Sequence, residues 1–123
     1  MEEAYYKRTK VWPIMHIIAI QKYILDKAPW VARNLLNAFE ESKRRSVERL
    51  LDPAVSRYPV AWLPTYMRKM RDLFDGDTFP YGIEENRPTI EQFLRYTYEQ
   101  GIAHRHAKPE DLFPKGVMTL VRV

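Results

Sequence analysis

The stretch after Pro13 sets the problem this chain has to solve. Ile14-Met15-His16-Ile17-Ile18-Ala19-Ile20 is almost wholly apolar, holds four isoleucines and carries no formal charge. Pro13 forbids helix continuation and pushes Trp12 towards extended geometry, so the β-branched run reads as a strand buried on both faces. A strand of that kind needs neighbours for its amides and carbonyls. It is the only convincing strand ahead of the C-terminal tail, residues 117–123, which reads as a short strand or as disordered. The neighbours must come from a second copy of the chain or from a larger protein of which this is a piece.

Other features narrow the class. At 123 residues the prior is one domain with a modest core. No unbroken apolar run is longer than the four residues of Ile17-Ile18-Ala19-Ile20, far short of the roughly 18 that cross a bilayer. The opening Met1-Glu2-Glu3-Ala4-Tyr5-Tyr6 lacks the basic and apolar regions of a secretory signal, so a cytoplasmic location is expected. The absence of cysteine excludes disulfides, thiolate metal sites and a thiol nucleophile. The net charge of +4 is spread thinly: residues 1–52 hold ten basic and seven acidic groups, 53–75 four and two, 76–123 six and seven. That falls short of the concentrated stripe of a nucleic-acid binder, and neither nucleic acid nor membrane is expected as a partner.

Elsewhere the patterning is helical. Residues 1–9 read as the end of a helix with no capping residue ahead of it, as in a chain cut inside a longer one. From Pro29 to Leu51 apolar residues Ala32, Leu35, Leu36, Phe39, Val47, Leu50 and Leu51 recur at helical spacing, opposite a charged face. On that face Glu40 with Arg44 and Glu41 with Arg45 are spaced as i,i+4 pairs. Residues 52–64, with three prolines, read as a loop or broken helix. Leu63, Met67, Met70 and Phe74 line a shorter helix ending at Asp75-Gly76-Asp77. A third helix starts near Pro88, turns Ile90, Phe93, Leu94 and Thr97 inward, and stops at Gly101. A single turn at residues 108–113 pins Leu112 and Phe113. The expected class is mostly α with one or two strands.

Few residues suggest chemistry. His16 opens the expected strand, where it is either a general acid or a satisfied structural histidine. His104 and His106 lack the spacing of a helical metal pair and read as exposed loop residues. Lys43-Arg44-Arg45 and Arg68-Lys69-Met70-Arg71 hint at phosphate contacts, but both lie on mixed-charge faces and read as solvated. Asp75-Gly76-Asp77 is a turn rather than a calcium loop. Neither a metal nor a cofactor is expected.

Two groups of motifs nonetheless resemble a known family. Pro13-Ile14-Met15-His16 running into the isoleucines, with Ala28-Pro29-Trp30-Val31-Ala32 and Ala38-Phe39-Glu40-Glu41-Ser42-Lys43-Arg44, looks like the 4,5-dihydroxyphthalate decarboxylases. A sharper group is Pro80-Tyr81-Gly82-Ile83-Glu84, Asn86-Arg87-Pro88-Thr89, Phe93-Leu94-Arg95-Tyr96, Glu99-Gln100-Gly101 and Pro109-Glu110-Asp111-Leu112-Phe113. The resemblance covers most of residues 1–113. Lys10 and Val11 depart from it, standing where glycine and isoleucine are expected.

The resemblance implies the C-terminal part of an α/β fold with two lobes, like the type 2 periplasmic binding proteins. Residues 1–10 would end a helix, 11–20 form the strand crossing between lobes, 21–115 supply C-terminal helices, and 116–123 make a tail. It further implies non-oxidative decarboxylation of a small aromatic carboxylate, by protonation of the ring carbon that bears the departing group. His16 would be the catalytic acid, and Trp12 and His16 would bind substrate. As this chain alone the protein would be inactive, and a second copy could cover the strand. The competing expectations are a solute-binding receptor of the same fold and a small basic helical interaction module.

Overall fold

The helical periods predicted from sequence materialise, and the strand does not. In the computed structural model, which describes residues 1–54 and 58–118, the order is α1 (Glu2–Thr9), α2 (Lys22–Lys27), α3 (Trp30–Leu51), α4 (Leu63–Leu73), α5 (Arg87–Glu99) and α6 (Pro109–Leu112). A 3-10 turn follows at Lys115–Val117. Of the tail expected at 117–123, residues 119–123 lie outside the described set.

Among the described residues no strand forms, which overturns both the isolated strand and the two-lobed α/β architecture. Residues 10–21 run without helix, turn or bend between α1 and α2. Ile14, Met15, Ile17 and Ile18 stand 43%, 80%, 75% and 60% exposed. The physical reason is that β propensity measures fit to a pleated, half-buried surface. A β-branched run with no second edge beside it has no ladder to join.

The helices start and stop where local chemistry directs. Pro64, Pro88 and Pro109 each sit in a first helical turn, where a missing amide costs nothing. Asp111 caps α6 by accepting the Lys108 amide at 3.0 Å. Gly101, at φ +71, ends α5, and Thr97 O accepts both the Ile102 and Ala103 amides at 2.9 Å. α1 ends less favourably: Lys10 takes the left-handed conformation at φ 56, which glycine adopts without strain.

Two clusters stand out among the described residues, beside the packing of α3 on α4 and on the 3-10 turn. Ile83, Ile90 and Leu94 are buried, with Ala107, Phe113 and Met118 packed against them. Ile83 reaches that core because the Asn86 side-chain amide donates to Pro80 O at 2.7 Å and to Gly82 O at 2.8 Å, folding the loop tightly. Phe93 and Leu112, expected inward, are 62% and 53% exposed. The second cluster ties the N-terminus to α4. Phe74 is buried, with the Tyr6 ring 4.3 Å and the Trp12 ring 5.4 Å away, the latter edge-on. The Trp12 amide then donates to Thr89 Oγ1 at 3.0 Å, joining this cluster to the start of α5. Beside it Glu3 pairs with Lys69 at 2.6 Å and Lys10 with Asp75 at 3.1 Å.

The apolar stripe of α3 is only partly covered. Ala32 is buried, whereas Leu35 and Phe39 remain exposed. No helix among the described residues is long and apolar enough to cross a membrane.

Candidate functional site

His16 sits in the middle of the irregular arm, residues 10–21, between α1 and α2. It is exposed, and its ring makes no hydrogen bond, ion pair or ring contact with any described residue. Nothing local fixes its tautomer, and no described residue competes with a ligand for either nitrogen. Trp12, four residues earlier, is held at both ends: its ring lies against Tyr6 and Phe74, and its backbone amide is tied to Thr89. More than a third of Trp12 stays accessible. The structure thus presents one anchored aromatic and one unrestrained imidazole on the same short segment.

The remaining histidines behave as loop residues. His104 and His106 are exposed, and the His106 ring lies 5.3 Å from that of Tyr98. Among the described residues no cluster of three or more His, Asp or Glu side chains could hold a metal ion. The Asp75-Gly76-Asp77 turn forms as expected, with left-handed Asp75 and Gly76. Its carboxylates pair with Lys10 and Lys43.

Lys43 is the residue that sequence reasoning missed. It was expected on a solvated face, yet only 10% of its side chain is exposed. Its ammonium lies 3.0 Å from Glu40, 2.8 Å from Asp77 and 3.0 Å from Phe79 O, with the Tyr81 ring centred 4.6 Å away. Glu40 therefore pairs with Lys43 rather than with the expected Arg44. Glu41 does pair with Arg45, at 2.6 Å, and also with Arg44. Hydrogen bonds from these two guanidinium groups hold the Glu41 carboxyl down to about 2, from an ordinary 4.5. The signal for Lys43 in the sequence was only Glu40 three residues before it, because Asp77 and Phe79 are remote in the chain.

Next to Lys43 a shallow cleft of about 300 Å³ opens between α3 and the 79–81 loop, walled by Phe39, Phe79 and Tyr81 with Ser42 and Ser46 on its helical side. Its electrostatics are informative. All three ammonium protons have acceptors, and two carboxylates face one cation. The cleft therefore offers no uncommitted positive charge for an anionic ligand.

Comparison with known proteins gives one clear relative. No family model matches the sequence. Over 109 residues the chain is 31% identical to a 4,5-dihydroxyphthalate decarboxylase of Comamonas testosteroni, a match covering 89% of this chain and 33% of that protein. The chain thus spans about a third of the length of its curated relative.

Proposed function

We propose that this polypeptide supplies part of a site for non-oxidative decarboxylation of a small aromatic carboxylate of the dihydroxyphthalate class. The observation that carries this reading is the 31% identity over 109 residues to an enzyme named for that reaction. In it His16 donates the proton and Trp12 forms an aromatic wall beside the ring. The exposure of His16, its freedom from internal partners, and the anchoring of Trp12 on Phe74 and Thr89 support those roles.

The chemistry is balanced by one proton. A dihydroxylated ring is electron-rich, so the imidazolium of His16 can protonate the carbon that bears the departing carboxylate. The bond to that carboxylate then breaks, its electron pair restores aromaticity, and carbon dioxide leaves. Solvent returns the proton to His16. A second carboxylate on the substrate needs a positive or hydrogen-bonding holder. The Lys43 cleft does not fit that task, since its cation is already committed. On this reading the chain alone turns over no substrate, because the holder belongs to polypeptide beyond the matched third.

A chimera tests the reading. The matching region of the Comamonas enzyme is replaced by this chain's residues, and carbon dioxide release from 4,5-dihydroxyphthalate is measured. Turnover is expected, with His16→Gln lowering kcat by about a hundred-fold or more, as loss of a general acid does. A folded chimera that turns over equally well with His16→Gln removes His16 from the mechanism. A chimera that binds the diacid tightly and releases no carbon dioxide favours a receptor instead.

A further inference from the structure

We propose that Thr89 is a positioning residue for His16, acting through the backbone of Trp12. The proposal rests on the decarboxylase reading for its chemistry and on the structure for its geometry.

Amide by amide, the root of the arm is fixed as far as Trp12 and free beyond it. The Lys10 amide donates to Tyr6 O at 2.7 Å, the Val11 amide to Thr9 Oγ1 at 3.2 Å and the Trp12 amide to Thr89 Oγ1 at 3.0 Å. Pro13 has no amide to give. Among the described residues, no amide from Ile14 to Ile20 donates a hydrogen bond. The bond to Thr89 is therefore the last fixed point of the chain before His16, four residues on. Four residues span at most about 14 Å, so the direction in which the chain leaves Trp12 decides where the imidazole can reach.

Thr89 is itself held still. It is 8% exposed and lies in the first turn of α5. On one side Arg87 is paired with Glu84 and Glu110, and on the other Ile90 is buried against Ile83 and Leu94. A hydroxyl on so rigid a base can transmit that rigidity to the main chain it binds.

The two kinds of contact at Trp12 do different work. Its ring meets Phe74 edge-on at 5.4 Å and Tyr6 at 6.4 Å, contacts that place the indole. The hydrogen bond to the main chain is directional, and it fixes the peptide plane from which the arm departs. Tyr6 and Phe74 thus set the aromatic wall, and Thr89 sets the acid. The His16 ring has no contact with any described residue that could make good the loss. A misplacement of about 1 Å in a reacting group can cost about a hundred-fold in rate.

The test uses the chimera that carries this chain's residues, assayed well below its melting midpoint. Thr89→Val keeps the side-chain volume and removes the acceptor. It is expected to lower kcat about ten-fold while KM changes less than about two-fold, and Thr89→Ser is expected to restore most of the rate. In a His16→Gln background Thr89→Val should add nothing, because the group it places is gone; a merely structural role would multiply the two losses. In the unaltered chain, hydrogen exchange should find the Trp12 amide protected at least about ten-fold over those of Ile14 and Ile17. The proposal is overturned, with the decarboxylase reading intact, if His16→Gln slows the chimera and Thr89→Val does not, or if the two losses multiply. It is also overturned if the Trp12 amide exchanges as fast as that of Ile17, a measurement that needs no variant to fold. A chimera indifferent to His16→Gln fails the decarboxylase reading instead, and the positioning of His16 falls with it.

Discussion

Thr89 is buried at the start of α5, and its hydroxyl is the acceptor for the Trp12 amide. Replacing Thr89 by Val leaves that amide without a partner, at a cost of about 1–2 kcal/mol, while Thr89→Ser retains the acceptor. Urea midpoints of the two variants check this. Lys10 gives the opposite sign. It sits at φ 56, where a side chain costs energy that glycine avoids, and its exposed pair with Asp75 contributes little in return. Lys10→Gly is therefore expected to stabilise the chain by about 0.5–1 kcal/mol, after allowing for the added freedom of the unfolded state. Thermal melts should show the midpoint rising. The sequence hinted at that misfit only through the resemblance, which led to the expectation of glycine at Lys10. The burial of Lys43 could not, because Asp77 and Phe79 lie 34 and 36 residues further along. The isolation of His16 was equally hidden, since an apolar neighbourhood in sequence reads as burial.

Helices are legible wherever one chain segment carries its own instructions. α3 was expected from Pro29 to Leu51 and forms over Trp30–Leu51, because its stripe, its prolines and its ion pairs are all local. α5 likewise begins within a residue or two of its proline and ends at its glycine. The isoleucine arm was misread as a strand because a strand is a property of two segments, and one sequence window shows only the first. Arg87 shows how elements are then joined. It reaches Glu84 at 2.6 Å, Glu110 at 2.7 Å and Glu91 at 3.4 Å, linking the preceding loop, α6 and its own helix. Its hydrogen bonds lower the Glu84 and Glu110 carboxyls from their ordinary 4.5. Groups held lower in the folded state contribute stability above pH 4.5 that is lost as the pH falls through their folded values. Denaturant midpoints should drop on acidification below that point, and in Arg87→Gln the drop should be shallower. An identical acid profile in the variant would show that Arg87 does not couple these elements.

At the scale of the molecule the exposed area has a thermodynamic signature: the chain exposes 9765 Å², against about 6,900 Å² for a compact monomer of 14.7 kDa. A chain that hides less surface when folded exposes less on unfolding, and the urea dependence of its stability follows that difference. For the dilute single chain the m-value is expected to fall below that of compact domains of 123 residues. An m-value at or above the compact norm would mean the arm and the α3 stripe are covered within one chain. The Trp12–Thr89 bond, finally, has a meaning in time as well as in space. It spans 77 residues of sequence, whereas the bonds that build α3, α4 and α5 close within a turn. Closing so long a loop costs entropy that is best met once its far side is already rigid. The N-terminal arm is thus a latch that fastens last and loosens first.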